Sequence, residues 1–284
     1  GLPFSVAFCS IYIIRCNNSN MKIVLIGAGN LATNLGKALL SAGHDIVQVF
    51  SRTLESASLL ANIAGGAPVT NIEQIRDDAD LYIVSLKDSV VGDILPSLCK
   101  GKENKVFIHT AGSLPMDVFQ GMALHYGVFY PMQTFSKEKE VDFSVIPCFI
   151  EANDSYAHGV IEELAHQLSG SVYELSSENR KYLHLSAVFA CNFVNHCYVI
   201  SQQLLEKHGI PFEVMLPLID ETAQKVHSLS PTKAQTGPAV RFDQNVIRNQ
   251  AALLKDNPLL KDIYERMSLS IHKMSEEYDR IEKQ

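Results

Sequence analysis

The sequence of 284 residues lacks an excess of positive charge. Its 24 Lys and Arg residues stand against 31 Asp and Glu residues, so the formal net charge is −7 at pH 7. Phosphate backbones and anionic lipid surfaces bind proteins that carry the opposite sign of charge. The composition therefore predicts that neither nucleic acid nor a membrane is a partner.

The sequence also lacks cysteine pairs of the kind that bind metals or form redox centres. Its six cysteines are scattered, with no C-x-x-C pair and no Cys/His cluster at the spacing of metal ligands. We interpret them as reduced, mostly buried thiols of a cytoplasmic protein, and we predict no metal site.

The first 20 residues are apolar but lack the features of a signal peptide. They show neither a basic first region nor a small-residue cleavage site, and the apolar run is too short to span a bilayer. A clean strand pattern begins only at Met21. We interpret residues 1–20 as an N-terminal extension that is not part of the fold, with an extra strand or an apolar arm as the alternative.

From Met21 onward, short β-branched runs alternate with segments of helical length, which is typical of a doubly wound parallel sheet. The first four runs are almost continuously apolar, as expected of strands buried on both faces. An amphipathic helix is predicted over residues 155–168, between the last two strands. The predicted strands are residues 22–26, 46–50, 81–85, 105–109, 126–129, 145–150 and 172–175.

After Ser177 strand signals become rare and helical patterns dominate. A long apolar helix is predicted to end before Gly209 and Pro211, a typical helix terminus. We therefore predict an α/β nucleotide-binding domain over residues 21–176 and an all-α domain over residues 177–284. The predicted helices of the second domain are residues 177–207, 212–227, 243–254 and 258–282.

A glycine-rich turn follows the first predicted strand directly and opens a helix. It has the form G-x-G-x-x-A, in which the first glycine permits a tight turn, the second lets the backbone approach a pyrophosphate, and the small alanine lets helix and strand pack closely. The helix N-terminus then presents free N–H groups to the phosphates. We predict a dinucleotide cofactor bound by Gly27, Gly29, Asn30, Leu31 and Ala32.

The residue types at the end of the second predicted strand indicate which dinucleotide is bound. Enzymes that use NAD usually carry an acidic residue there for the ribose 2′-hydroxyl, but this sequence has Ser51, Arg52 and Thr53. A guanidinium can bind a 2′-phosphate with two parallel hydrogen bonds, and the two hydroxyls add donors. NADP(H) is therefore predicted over NAD(H); the alternative is that Arg52 is a solvated surface charge.

Two further strand ends should lie along the cofactor, because ligands of open parallel sheets bind at the carboxyl ends of the strands. The strand predicted over residues 81–85 ends at Ser85 and is followed by Leu86 and Lys87. The strand predicted over residues 105–109 ends at His109 and is followed by Thr110. For His109 two interpretations stay open. It either binds the nicotinamide amide or a substrate, or it is a strand-end histidine whose nitrogens are satisfied by the backbone.

Polar residues form a stripe on the long apolar helix. Lys181, His184, Asn192 and Asn195, with Val188 between them, follow at spacings of three or four residues and so share one face. Buried polar groups are costly unless they are paired, so the stripe predicts either the lining of a cleft or a structural network. Further substrate-binding candidates are Gln133 and Thr134 in a loop after a strand, and Arg241 just before a predicted helix N-cap.

Together these features resemble the family of Rossmann-like proteins with a DUF2520-type C-terminal domain, often labelled NADP oxidoreductases. The resemblance extends from Met21 to about Leu254, and in that family the last motif reads T-G-P-x-x-R-G-D, where this sequence has Phe242 in place of the second glycine. The resemblance depends on six segments of the sequence: residues 27–32, 50–53, 109–113, 130–135, 184–192 and 236–243.

More remotely, the layout is similar to that of pyrroline-5-carboxylate reductases and of the β-hydroxyacid dehydrogenase and ketopantoate reductase group. This similarity implies a helical domain like the C-terminal domain of 6-phosphogluconate dehydrogenase. It also implies that Lys181 or His184, together with Asn192, faces the substrate carbonyl.

The predicted function is hydride transfer between the nicotinamide of NADPH and a small carbonyl or imine. Such a reduction needs a proton donor, for which His184 and Lys181 are the candidates. Two alternatives stay open: a non-catalytic NADP(H)-binding sensor or assembly module, and an F420-dependent NADP reductase.

The long helix also predicts an assembly. Its apolar residues are too many and too evenly distributed for one chain to cover, so we predict a homodimer, with Arg241 or its neighbours reaching the partner's cofactor cleft.

Overall fold

The computed structural model describes residues 20–282. The prediction for the N-terminal extension falls on residues outside this range, except for Asn20. The chain divides between Asn195 and His196 into two compact units, which are described separately below. The predicted domain boundary lies earlier, at residues 176 and 177.

The first unit contains an eight-stranded sheet in the order β3-β2-β1-β4-β5-β6-β7-β8. Neighbouring strands are parallel except β6 and β7, which are antiparallel. This arrangement confirms the predicted doubly wound, mostly parallel sheet. The strands are β1 (Lys22–Ile26), β2 (Asp45–Phe50), β3 (Ala67–Val69), β4 (Leu81–Val84), β5 (Val106–His109), β6 (His125–Pro131), β7 (Cys148–Ala152) and β8 (Val172–Glu174).

Helices cover both faces of this sheet, which explains why its central strands are apolar along their whole length. Every residue of β4 and β5 is buried. In β1 neighbouring residues point to opposite faces, so Leu25 belongs to the core under α1 and α4, and Val24 belongs to the core under α3. The covering helices are α1 (Asn30–Ser41), α2 (Leu54–Ala64), α3 (Asp88–Cys99) and α4 (Ser155–Leu168).

Two strands differ from the prediction. The strand predicted over residues 145–150 is β7 and begins only at Cys148, because the Asp142 side chain accepts a hydrogen bond from Ser144 and starts a 3-10 turn at Phe143–Val145. The short strand β3 was missed, since Pro68 interrupts its pattern. Proline is tolerated there because β3 is the edge strand of the sheet.

The helix predicted over residues 177–207 is helical throughout but not uniform. It consists of α5 (Ser177–Ala187), a π-helical segment (Val188–Phe193) and α6 (Val194–Glu206). By length and composition, the span Ser177–Glu206 is apolar enough to cross a membrane, with a mean hydropathy of 1.3 in an 18-residue window of which no part is buried. A π-helical segment inside a helix frequently marks a functional site.

A buried ion pair holds α5 to the sheet. The Arg180 side chain is 1% exposed, and its guanidinium donates to Glu151 Oε2 of β7 at 2.8 Å and to the carbonyl oxygen of Leu114 at 2.5 Å. Ser177 donates to the same carboxylate through its backbone N–H (2.9 Å) and its hydroxyl (2.6 Å). These bonds explain why the first turns of α5 belong to the first unit.

The second unit is helical in its described part, as predicted. Its helices after α6 are α7 (Leu216–Ser228), α8 (Pro231–Ala234), α9 (Gln244–Ala252) and α10 (Pro258–Glu282). Phe242 is the one non-glycine residue between residues 20 and 282 with a positive φ, at 51°. Its ring stacks on His272 with centroids 4.2 Å apart, and Asp243 next to it caps α9. The position that is glycine in the resembling family therefore has a backbone conformation that favours glycine.

Removing one partner of the ion pair should destabilise the first unit. We expect Arg180→Met to lower the free energy of unfolding by about 3 kcal/mol, because it leaves the Glu151 carboxylate without its buried counter-charge. The double variant Arg180→Met, Glu151→Gln should recover part of this loss. The coupling between Arg180 and Glu151 is measured by urea unfolding of the wild type, both single variants and the double variant. If the two single variants lose free energies of unfolding that simply add up in the double variant, the coupling is contradicted.

Candidate active site

The glycine-rich turn between β1 and α1 has the geometry of an anion-binding site. A Cβ atom at Gly27, where φ is 117°, would lie 2.1 Å from the carbonyl oxygen of Ser85, so only glycine fits. A Cβ atom at Gly29 would meet nothing within 4 Å. Gly29 caps α1 without a side-chain hydrogen bond, and the first turn of α1 holds no acidic residue. The free N–H groups at this open helix start fit the pyrophosphate of a dinucleotide.

The end of β2 leaves one cation free beside this turn. Arg52 is exposed and forms no ion pair or hydrogen bond with the described part of the chain. Thr53 is the N-cap of α2, where its hydroxyl accepts from the Ser56 N–H at 3.3 Å. Ser51 donates its backbone N–H to Val69 at 3.1 Å, which ties the strand end to β3. The Thr53 hydroxyl thus has a structural role already, whereas the Arg52 guanidinium is available.

The ends of β4 and β5 lie at the same edge of the sheet. Ser85 donates its backbone N–H to Ile26 at 2.7 Å, and a side-chain carbon of Leu86 would lie 3.2 Å from a Cβ at Gly27. Lys87 is exposed at the start of α3, whereas Thr110 is 6% exposed. Of these predicted cofactor contacts, Ser85 and Leu86 lie directly beside the glycine-rich turn.

His109 is buried, and both its ring nitrogens have backbone partners. Nδ1 accepts from the Ala111 N–H at 3.1 Å, and Nε2 lies 3.3 Å from the Pro115 carbonyl oxygen. Burial lowers the pKa of His109 to about 4, and the positive charge of Arg180 acts in the same direction. Of the two interpretations, the backbone-satisfied histidine describes its position, and we leave it out of the proposed catalytic group.

A cavity of about 620 Å³ opens beside the glycine-rich turn, a size typical of ligand-binding clefts. It includes six of the predicted site residues: Asn30 and Leu31 for the cofactor, Gln133 and Thr134 for the substrate, and the catalytic candidates His184 and Asn192. The other lining residues come from the end of β6, the loop after it, α5 and the π-helical segment. They are Tyr130, Met132, Phe135, Leu183, Ser186, Ala187, Ala190 and Cys191.

Tyr130 and His184 form a hydrogen-bonded pair in the cavity wall. The Tyr130 hydroxyl lies 3.1 Å from His184 Nδ1, and Gly112 packs so closely that a Cβ there would lie 2.3 Å from the same nitrogen. Tyr130 is 8% exposed; burial raises its pKa, while the positive charge of Arg180 acts in the opposite direction. Tyr130 was missed as a site residue, although its place at the carboxyl end of a buried strand could have indicated it.

Two asparagines of α1 hold the loop that forms one cavity wall. The Asn30 side chain donates to the carbonyl oxygen of Phe135 at 3.1 Å, and that of Asn34 donates to Ser136 at 2.9 Å. Asn30 belongs to the glycine-rich turn itself. The cofactor turn and the wall of the cavity are therefore joined directly.

Three predicted residues lie elsewhere. Lys181 is exposed, and its ammonium lies 5.2 Å from the ring centroid of Tyr182, outside the cavity lining. Asn195 is exposed and does not line the cavity either. Arg241 is an exposed residue of the second unit.

Two protein families match successive parts of the chain. A family described as NADP oxidoreductase, coenzyme F420-dependent, matches residues 22–112, and a domain of unknown function, DUF2520, matches residues 146–271. No curated protein sequence matches the chain. The first match includes the glycine-rich turn, and the second includes His184 and Asn192.

Solved structures extend these matches over the whole fold. A candidate NADP oxidoreductase from Bacteroides fragilis is 54% identical, with 89% of this chain and 98% of that chain covered and a TM-score of 0.86. An imine reductase from Myxococcus stipitatus in complex with NADP⁺ shares the fold at 14% identity, with 92% of this chain and 94% of that chain covered and a TM-score of 0.63. A pyrroline-5-carboxylate reductase from Coxiella burnetii shares it at 18% identity, with 91% of this chain and 98% of that chain covered and a TM-score of 0.55. The chain belongs to the family of NADP oxidoreductases that join these two domains, and its cofactor is NADP(H).

Filling the space at Gly112 should displace His184. We expect Gly112→Ala to lower the turnover rate about 100-fold, because His184 is predicted to be catalytic and a shift of about 1 Å in such a group costs that much. The matched control is Gly159→Ala in α4, where a Cβ atom meets nothing within 4 Å. Steady-state kinetics of both variants check the expectation, and equal activities would contradict the close contact.

Proposed function

We propose that this protein reduces a small carbonyl or imine with NADPH in the cavity beside Tyr130 and His184. The observation that carries the proposal is the Tyr130–His184 hydrogen bond in the wall of a cavity that begins at the glycine-rich turn. Further support comes from the shared fold of an imine reductase and a pyrroline-5-carboxylate reductase. The redox chemistry belongs to the cofactor, so the chain must bind and orient the cofactor and the substrate, and it must supply a proton.

When bound at the glycine-rich turn, NADPH would supply a hydride for the carbon of the C=O or C=N bond. The oxygen or nitrogen of that bond takes a proton from the Tyr130–His184 pair, which gives an alcohol or an amine and leaves NADP⁺. Since burial raises the pKa of Tyr130, its hydroxyl keeps its proton at neutral pH. Once that proton has passed to the substrate, an N–H at His184 Nδ1, 3.1 Å away, can donate a hydrogen bond to the Tyr130 oxygen and stabilise its negative charge. The amides of Gln133 and Asn192 line the same cavity and can orient the substrate.

A second candidate is hydride exchange between NADPH and coenzyme F420, favoured by the description of the family that matches residues 22–112. The two candidates differ in a simple assay. Reduction of F420 by NADPH, with no turnover of any aldehyde, ketone or imine, would select the F420 reaction. NADP(H) binding with no turnover of either kind would instead select a non-catalytic module.

Removing the proton donor should slow the reduction. We expect Tyr130→Phe and His184→Gln each to lower kcat roughly 10²- to 10⁴-fold, the usual contribution of general acid catalysis. Binding of NADPH should change little, because neither side chain belongs to the glycine-rich turn. Kinetics and calorimetric NADPH titration of both variants provide the measurement. Full activity in both, with loss in Lys181→Met, would show that Lys181 is the donor instead.

Arg52 is proposed to bind the 2′-phosphate of NADP(H). We expect Arg52→Asp to weaken NADPH binding and to improve NADH binding relative to it, because repulsion replaces a charge-assisted contact. Lys100→Asp makes the same charge change after the C-terminus of α3, at the opposite edge of the sheet. An unchanged ratio of the two dissociation constants in the Arg52 variant would exclude this role.

The proposal includes a cytoplasmic homodimer in which a second copy, not a bilayer, covers the helix from Ser177 to Glu206. Leu185, Phe189 and Phe193 are 51%, 61% and 51% exposed on this helix. The two phenylalanine rings contact each other edge to face with centroids 4.9 Å apart. Exposed aromatic clusters of this kind are typical of protein interfaces.

A charge on this helix should break the dimer. We expect Phe193→Glu to be monomeric at micromolar concentration by analytical ultracentrifugation, because it would bury a carboxylate in an apolar interface. Leu124→Glu, at a residue that is 61% exposed before β6, is the matched control and should stay dimeric. A monomeric wild type in the absence of detergent would contradict the proposal.

A further inference from the structure

We propose that the substrate is an uncharged, largely apolar ketone, aldehyde or cyclic imine that carries no carboxylate. This inference deepens the proposed function and depends on it. It names the substrate class of the same cavity from the chemistry of the cavity wall.

Most of the cavity wall is apolar. Apart from the His184 imidazole, its polar side chains are neutral amides and hydroxyls. Asn192, Gln133 and Thr134 can each donate or accept a hydrogen bond without a formal charge. His184 is the one lining residue of a type that can become cationic, and it is paired with Tyr130. The apolar part of the wall consists of Leu31, Met132, Phe135, Leu183, Ala187 and Ala190.

The two cations that lie nearest along α5 are used elsewhere. Arg180, one turn before His184, is 1% exposed and already bound to Glu151 and to the Leu114 carbonyl oxygen. Lys181 directs its ammonium towards the ring of Tyr182 at 5.2 Å. Neither residue lines the cavity, so the wall that the described residues of one chain form presents no guanidinium or ammonium group to a bound anion.

This chemistry selects against a carboxylate. An anion that leaves water for an apolar wall loses its hydration and finds no counter-charge, which is costly. A neutral ring loses little and gains the free energy of apolar burial, while the C=O or C=N group can still be polarised by Tyr130 and His184. The same wall therefore discriminates between two substrates that differ only in a carboxylate.

The first experiment compares turnover. NADPH oxidation by the wild-type protein is measured with two pairs that differ only in a carboxylate: 1-pyrroline with 1-pyrroline-5-carboxylate, and cyclohexanone with 4-oxocyclohexane-1-carboxylate. We expect kcat/KM to be at least about tenfold higher for the uncharged member of each pair, a difference of about 1.4 kcal/mol. A higher kcat/KM for the carboxylates would overturn the inference and leave the proposed reduction intact.

The second experiment measures binding and needs no reaction. The protein saturated with NADP⁺ is titrated by calorimetry with 2-pyrrolidinone and with its 5-carboxylate, a planar pair that differs in one anionic group. We expect the neutral lactam to bind more tightly. Tighter binding of the neutral lactam without turnover of any imine or ketone would refute the proposed reduction, and the preference of the cavity for a neutral ligand would stand by itself. Tighter binding of the carboxylate, or no binding of either, would overturn the inference.

A cation placed in the wall should reverse the preference. Met132→Lys adds an ammonium among the lining residues, and Met132→Gln is a neutral control of similar length. We expect the lysine variant to raise the affinity for the carboxylate lactam at least about tenfold relative to the glutamine variant. Equal affinities in the two variants would show that charge at this wall does not decide the substrate, which would overturn the inference.

Discussion

The buried pair of Arg180 and Glu151 is the interaction on which the arrangement of the site depends. A guanidinium that is 1% exposed needs a counter-charge and hydrogen bonds, and it finds them on β7 and at the Leu114 carbonyl oxygen. The Ser176 side chain caps the start of α5, and these partners of Arg180 hold one face of the helix to the sheet. His184 lies one turn further along, so the same contact brings its ring to Tyr130 and Gly112.

The site draws on three segments of the chain that the two family matches treat separately. The glycine-rich turn lies in the match over residues 22–112, and His184 lies in the match over residues 146–271. Tyr130 and the loop after it lie between the matches. The side chains of Asn30 and Asn34 hold this loop to the first helix, so that the cofactor turn and the cavity wall form one structure. An alteration of the loop should therefore affect cofactor and substrate together.

The helix of residues 177–206 has two roles, since one set of its residues contacts the sheet and the cavity and another set is exposed. Arg180, Leu183 and Ala187 serve the sheet and the cavity, while Leu185, Phe189 and Phe193 are exposed. The π-helical segment at Val188–Phe193 contains residues of both kinds, since Ala190 and Cys191 line the cavity whereas Phe189 and Phe193 are exposed. Both the apolar cavity and the exposed aromatic pair are thus consequences of one apolar segment. This is why its composition alone cannot tell a cleft, an interface and a membrane span apart.

The sequence by itself determined the features that depend on local geometry. The order of the strands other than β3 and of the main helices, the glycine-rich turn and the missing acid after β2 all follow from residue types at short spacing. Only the tertiary structure decided that both ring nitrogens of His109 have backbone partners and that the Tyr130 hydroxyl lies within hydrogen-bonding distance of His184. These outcomes depend on burial and on partners distant in the chain: Tyr130 and His184 are separated by 54 positions, Glu151 and Arg180 by 29. Local periodicity carries no information about such pairs, because the sheet order and the packing of α5 bring them together.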